Sequence, residues 1–343
     1  MKIALVEPSD LKHRVRGTGF YAKNLLNSFR KYSDEIDINL VRKIPEDADL
    51  VHYPFFEPFF LTLPLFKTKK TVVTVHDLTP LRFSENFPVG IKGSVKWQVQ
   101  KMSLRRVDAI IADSQNSKND ILKFIGLGED KVHVIYLAAG EEFKKLKSRD
   151  WKSEIIKRYN LPEKFVLYVG DVTWNKNLPR IIEAVKKINI PLVLVGKALV
   201  NKDFDKKNPW NQDLIKIQEL ARNDDRIKIL GFVEDSDLVS LYNLATVFVM
   251  PSLYEGFGLP ILEAMNCGCP VITSKEGSLK EVAGDAVFYV DAYNLESIAD
   301  GIRNVYENET LAKSLSEKGF LQAKNFSWKK TMLETLGIYK SLL

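Results

Sequence analysis

TVFVMPSLYEGFGLPILEAMNCGCPVITS, residues 246–274, is the stretch on which the fold turns. Its first part, 246–252, is a short apolar run of the kind that forms a buried strand. Gly256 and Gly258 then make a turn, a helix opens at about Leu259, and 270–274 is a second apolar run. Strand, glycine turn, helix and strand in that order are the unit of a parallel sheet covered by helices. The same alternation extends outward. Further strands are predicted at 165–170, 191–196, 226–233 and 286–291, with helices from Asn177, over 211–222, and from Asp235, Ser278 and Asn294. In the first half, strands are predicted at 2–8, 38–43, 48–54, 70–77, 107–114 and 131–137, and the clearest helix follows Gly19. The reading is α/β, with two Rossmann-like doubly wound domains facing a cleft, over 1–150 and 163–325. The highly charged stretch 144–160 is expected to connect them.

Composition agrees with this and excludes much else. The 343 residues are 45% hydrophobic and 27% charged, as in an ordinary globular protein, and their number suits two domains of about 150 residues each. No apolar run is long enough to span a bilayer, and the opening strand is stopped by Glu7 and Pro8, which argues against a signal peptide. A cytoplasmic location is therefore expected. Cys267 and Cys269 give no disulfide framework and, with four scattered histidines, no metal-ligand spacing. Acidic D-x-D triplets at 47–49, 203–205 and 235–237 sit at a strand start, a polar loop and a helix cap, so no metal and no cofactor are expected. Residues 1–150 hold 25 Lys/Arg against 19 Asp/Glu, whereas 151–343 hold 25 of each, so the whole net charge of +6 lies in the first half. A basic half suits nucleic acid, an anionic membrane surface or a phosphorylated small molecule. Nucleic acid is set aside because the cations show no interleaved aromatic repeat or reader motif.

Ligands of open α/β sheets bind beyond the carboxyl ends of the strands, so the turns after strands are where chemistry is expected. Gly256 and Gly258 remove side chains where backbone amides at a helix start can approach an anion. Glu255 and Glu263 flank this cradle; carboxylates repel a diphosphate, so their partners are hydroxyls, of a sugar for Glu255 and of a ribose for Glu263.

The E-x7-E spacing, the GFG-LP between its acids and the helix ending before PVITS resemble the retaining nucleotide-sugar glycosyltransferases of family 4, which have the GT-B fold. GTGFYAKNLL (17–26), VVTVHDLTPLRF (72–83), IIADSQNSKNDI (110–121), KVHVIYLAAG (131–140), LYVGDVTWNKNLPRIIEA (167–184), RIKILGFV (226–233) and SLKEVAGDA (278–286) extend the likeness over nearly the whole chain. The resemblance implies that Glu255 contacts the transferred sugar and that the amides of Phe257, Gly258 and Leu259 bind sugar and diphosphate, while Glu263 holds the ribose. It places Lys176, in the turn after Gly170, in a diphosphate clamp, His76 near the donor sugar, and the Gly17–Gly19 loop between donor phosphate and acceptor. It also implies that the last helix, about 328–343, packs back on the first domain. The pattern departs from the family at Asp171 and Asn175, where many relatives carry an arginine. The clamp is one cation short unless Lys197 or Arg180 reaches inward.

The implied function is transfer of a hexose-like sugar, mannose or another hexose, from a nucleoside diphosphate sugar (GDP- or UDP-linked) to a hydroxyl of a glycan or lipid-linked acceptor, with retention of configuration. An epimerase-like enzyme on the same fold and a non-catalytic sugar-nucleotide-binding partner are the alternatives. The aromatic run 53–66 with Lys67, Lys69 and Lys70 reads either as core or as an apolar wall facing anionic headgroups, which would place the protein at the inner face of a membrane.

Overall fold

The structure, a computed structural model, describes residues 1–7, 17–148 and 151–343. The chain forms two compact units: residues 1–138 with 326–343, and residues 139–325.

The first unit holds one parallel sheet of β1 (Lys2–Val6), β2 (Asp37–Val41), β3 (Leu50–Tyr53), β4 (Lys70–Val75), β5 (Ala109–Ala112) and β6 (Val132–Val134), ordered β2-β1-β3-β4-β5-β6. All six fall within the predicted runs or one residue outside them; Pro8 of the first run lies outside the described residues. β3, β4 and β5 are buried almost throughout, which is why their sequences are near-continuous apolar runs. Helices α1 (Thr18–Tyr32), α2 (Thr79–Arg82), α3 (Gly90–Arg105) and α4 (Gln115–Ile125) connect them. Local chemistry sets α4: Ser114 accepts from the Ser117 amide at its start, and Gly126, left-handed at φ 74°, ends it.

In the second unit, α5 (Lys152–Tyr159) precedes β7 (Val166–Val169), α6 (Leu178–Ile188), β8 (Leu192–Val195), α7 (Gln212–Leu220), β9 (Ile227–Gly231), α8 (Asp235–Leu244) and β10 (Val247–Met250). The order continues through α9 (Leu259–Asn266), β11 (Val271–Thr273), α10 (Leu279–Ala283), β12 (Phe288–Tyr289), α11 (Leu295–Glu307) and α12 (Glu309–Ala323). The parallel sheet runs β12-β11-β10-β7-β8-β9, the doubly wound order with its reversal between β7 and β10. α6 and α11 pack together on its core, where Ile181, Ile182, Leu192, Leu194, Ile298 and Ile302 are fully enclosed.

Two features differ from the sequence reading. The stretch 144–160 is not only a connection: α5 packs on α8, and Arg158 and Tyr159 donate to Asp237 at 2.6 and 2.7 Å. The helix predicted from Asn294 ends at Glu307, and a further helix absent from the sequence reading, α12, starts where the Asn308 side chain accepts from the Leu311 amide. The final helix α13 (Trp328–Leu342) belongs to the first unit. It packs on α1, and the Tyr339 hydroxyl meets His52 Nδ1 at 2.6 Å, while His52 Nε2 lies 2.8 Å from Thr74 Oγ1. Burial, with the charge of His76, lowers the pKa of His52 to about 3, so this link works with a neutral imidazole.

The D-x-D triplets have local partners. Asp47 and Asp49 both accept from Lys2, Asp205 accepts from the Lys207 amide, and Asp237 holds α5. Among the described residues no cluster of His, Cys, Asp and Glu is arranged to hold a metal ion, and no helix is long and apolar enough to cross a membrane.

Candidate functional site

The reversal in the second sheet leaves a crevice outside the carboxyl ends of β7 and β10, between the turns 170–177 and 251–258. These turns are stitched together. Asn175 Nδ2 donates to the Tyr254 carbonyl at 2.9 Å, the Leu253 amide donates to the Asn175 carbonyl at 2.7 Å, and Asn177 Nδ2 donates to the carbonyls of Pro251 and Ala292. Against this frame Lys176 Nζ donates to both carboxylate oxygens of Glu255 at 2.8 Å, with their side chains 22% and 9% exposed. The lysine and glutamate singled out in the sequence, 79 residues apart, therefore form one ion pair at the switch point.

Beside it, Gly258 caps α9 in a left-handed conformation at φ 101°, and among the described residues no side chain caps the helix. A Cβ at Gly258 would lie 3.0 Å from Leu279 Cδ2, so backbone angle and space both call for glycine. Gly256, Phe257 and Leu259 complete the turn into α9; Gly256 and Phe257 are buried and Leu259 is half-buried. Glu263 lies one turn inside α9, and its Oε2 accepts from the Tyr242 hydroxyl at 2.9 Å. Tyr242 is itself fixed edge-on between Phe143 and Phe248. The arrangement offers a cation, a carboxylate and a helix start within one turn pair, which suits an anion joined to a polyol.

Sequence reasoning missed the support beneath Glu255. Ser278 Oγ donates to the carbonyls of Glu255 and Phe257, and a Cβ on Gly277, at φ 61°, would lie 2.6 and 2.7 Å from the Glu255 backbone O and N. Ser278, read as a helix start, and Gly277 together hold the Glu255 backbone in place.

Gly170, which the resemblance implies is among the donor-binding residues, follows β7 at the switch point. Its amide donates to the Val195 carbonyl within the sheet, and a Cβ there would lie 2.6 Å from the Tyr168 hydroxyl, so this glycine makes room for a tyrosine. Arg180 does not complete the clamp: it donates to Asn177 Oδ1 at 2.7 Å, and its charge acts on Asp213 of α7. Lys197 is exposed at the start of a short 3-10 turn after β8. Asp171 caps its own turn through the Val172 amide.

In the first unit, His76 and Asp113 leave the carboxyl ends of the neighbouring strands β4 and β5. His76 Nδ1 lies 2.5 Å from Asp113 Oδ2, and Nε2 donates to the Pro54 carbonyl at 3.1 Å. Burial pulls the His76 pKa down, but the Asp113 carboxylate, its hydrogen bond and the Pro54 carbonyl outweigh it, so the imidazole is held above its ordinary value. Asp113 is raised as well, chiefly by burial, so the pair shares one proton across the short contact, and both ring nitrogens of His76 are engaged within the unit. Glu57, from the aromatic run, sits in the same field; burial, aided by Asp77 and opposed by His76, pushes its carboxyl up to about 7. Gly17, at φ 64°, precedes α1, whose first turn contains Gly19 and has no side-chain cap. Residues 8–16, which lead into it, lie outside the described residues.

The lysines next to the aromatic run do not form a free cationic patch. Lys67 Nζ donates to Ser103 and to the Pro64 carbonyl, Lys69 to the Glu46 carbonyl, and Lys70 pairs with Asp108. Burial lowers the Lys67 pKa to about 8, with Arg106 adding to the effect.

Two doubly wound units define the class of two-domain α/β proteins built on paired Rossmann-like sheets. Residues 149–322 match the glycosyl transferases group 1 model and residues 7–139 that of Glycosyltransferase Family 4, and the chain belongs to the group 1 glycosyltransferases. It is 30% identical over 304 residues to O-antigen chain mannosyltransferase B of Escherichia coli, covering 86% of this chain and 76% of that one. It is 32% identical over 279 residues to the serotype-specific mannosyltransferase WbdA of Escherichia coli, of whose length the match covers 32%. In fold it is similar to sucrose-phosphate synthase from Thermosynechococcus elongatus (TM-score 0.77, 20% identity, 99% and 98% of the two chains) and to Anabaena HepE in complex with UDP and glucose (TM-score 0.75, 18% identity, the whole of both chains).

Proposed function

We propose that the chain transfers a hexose-like sugar, mannose being the first candidate, from a nucleoside diphosphate sugar to a hydroxyl of a glycan or lipid-linked acceptor, with retention and without a metal ion. The observation that carries this is the Lys176–Glu255 pair beside the uncapped start of α9. A diphosphate arriving there takes over the Lys176 ammonium and the amides of Gly258 and Leu259. Glu255, released from its pair and held by Ser278, is then turned to the hydroxyls of the sugar, and Glu263, oriented by Tyr242, to those of the ribose. Mannose is favoured because the two relatives described above are named mannosyltransferases.

The step is written as a front-face displacement. The bond from the sugar's anomeric carbon to the diphosphate oxygen breaks as the bond to the acceptor oxygen forms on the same face, and the acceptor's proton passes to the departing diphosphate. The chain's part is position and electrostatics, with the Lys176 cation offsetting the charge that grows on the leaving group. The test is calorimetry and thermal unfolding with GDP-mannose, UDP-glucose, GDP and UDP. A ligand at 100 times its dissociation constant stabilises by about 2.7 kcal/mol. Glu255→Gln is expected to keep nucleotide binding and to lose transfer by ~100-fold or more. Absence of binding by every nucleoside diphosphate, or full turnover by Glu255→Gln, overturns the reading.

A further inference from the structure

α3 is built inside out. Gly93, Gln100, Ser103 and Leu104 are its buried residues, whereas Ile91 is 85% exposed, Val95 59% and Met102 47%. At 3.6 residues per turn, positions 91, 95, 98 and 102 fall within an arc of about 60°, opposite the buried face. The exposed arc is therefore an apolar stripe interrupted only by Gln98, and the buried arc is largely small or polar. Lys92 flanks the stripe on one side and Lys101 on the other, while Lys96, farther round the helix, lies beside the Phe60 ring. No acidic residue occurs in α3, nor anywhere in 58–76.

The polar residue inside explains what the helix carries. Gln100 Oε1 accepts from the Thr62 amide, the Thr62 hydroxyl and the Leu63 amide at 2.8–3.0 Å, and its Nε2 donates to the Leu63 carbonyl. This clamps the aromatic run to α3 and leaves its tip, Phe60 and Leu61, at 59% and 65% exposure. Lys96 Nζ lies 5.7 Å from the Phe60 ring centroid, so tip and helix share one surface.

We propose that this surface, the α3 stripe with the Phe60-Leu61 tip, docks on an anionic lipid bilayer. A bilayer supplies both an apolar phase for Ile91, Val95, Phe60 and Leu61 and anionic headgroups for the bordering lysines. A second copy of the chain fits less well, since a two-fold contact would set one set of lysines against the other with no acid between them. The surface lies within the first unit and does not involve the groups assigned to sugar transfer, so binding is measured without any sugar nucleotide.

The experiment is flotation of the full chain with phosphatidylcholine vesicles, with and without phosphatidylglycerol. Binding is expected only with phosphatidylglycerol and is expected to fade with salt. Lys92→Ser/Lys96→Ser/Lys101→Ser should lower the partition coefficient on the order of 100-fold, at about fivefold per lysine. Ile91→Ser/Val95→Ser/Leu61→Ser should lower it by roughly tenfold or more. All the substituted side chains but the half-buried Lys101 are exposed, so both variants should stay within a few degrees of the parent melting temperature. Three results overturn the proposal: no flotation with either vesicle, flotation that both variants retain in full, or a dimer of the chain that Ile91→Ser/Val95→Ser dissolves while no vesicle binds.

Discussion

Removing either partner of the Lys176–Glu255 pair should have unequal consequences, and the inequality follows from exposure. Breaking a fully buried pair costs about 3–5 kcal/mol, because the remaining charge is stranded, whereas an exposed pair is worth about 0–1 kcal/mol. Glu255, 9% exposed, is close to the first case, and Lys176, 22% exposed, lies between them. Lys176→Ala strands the carboxylate and should destabilise the second unit by ~2–3 kcal/mol. Glu255→Gln leaves the lysine an amide oxygen and some solvent, so its cost should be ~1 kcal/mol. The double variant strands nothing and should cost less than the sum, with a coupling energy of ~1.5 kcal/mol. Urea unfolding of the four proteins gives this cycle, followed on the transition that a nucleoside diphosphate shifts, because a chain of two units need not unfold in one step. The same variants tested by calorimetry separate the ligand's parts. Lys176→Ala should weaken GDP or UDP by about 1.5–3 kcal/mol and leave the nucleoside nearly unaffected, since the lost ammonium serves only phosphates. Additive effects in the cycle would mean that the pair is not formed in solution. Equal losses for diphosphate and nucleoside would place Lys176 away from the phosphates.

Gly277→Ala should destabilise by roughly 2–4 kcal/mol, since the new Cβ would meet the Glu255 backbone at 2.6 and 2.7 Å in a left-handed residue, and circular dichroism melts report it. His76 has a raised pKa, so its contribution to stability is fully present below its unfolded value near 6.5 and lost as pH rises through the higher folded value; His76→Asn should flatten that limb in urea unfolding measured from pH 6 to 9. Transfer should survive EDTA, because the electrostatic task is assigned to Lys176; loss of activity on chelation with recovery on adding magnesium or manganese would contradict that assignment.

How much of this was readable in the sequence depended on the length scale of the cause. Parallel strands covered on both faces need continuous apolar runs, so FVLYVG, PLVLVG and TVFVMPS each announce a strand without any partner being known. Asn308 carries no comparable signal, because whether an asparagine interrupts a helix depends on where its side chain turns. α3 fails differently. Its apolar residues lie on the exposed face and Gln100 on the buried one, so periodicity gives no guide to which side faces the core.

The candidate site shows the same division. Residues could be marked as neighbours, as with Lys176 and Glu255, because the turns that carry them follow strands at the switch point. Atom-level commitments could not be made, since they are settled by groups distant in sequence: Gly170 gives its amide to Val195, His76 gives its ring nitrogens to Asp113 and Pro54, and Lys67 gives its ammonium to Ser103. Each of those residues looked available because a sequence displays donors without their acceptors. Asn175 and Asp171 illustrate the reverse. Where an arginine was expected, the one stitches the two switch-point turns and the other caps its own, so both positions serve the frame that holds Lys176 against Glu255. With Arg180 bonded to Asn177, the frame holds a single cation, Lys176, against Glu255.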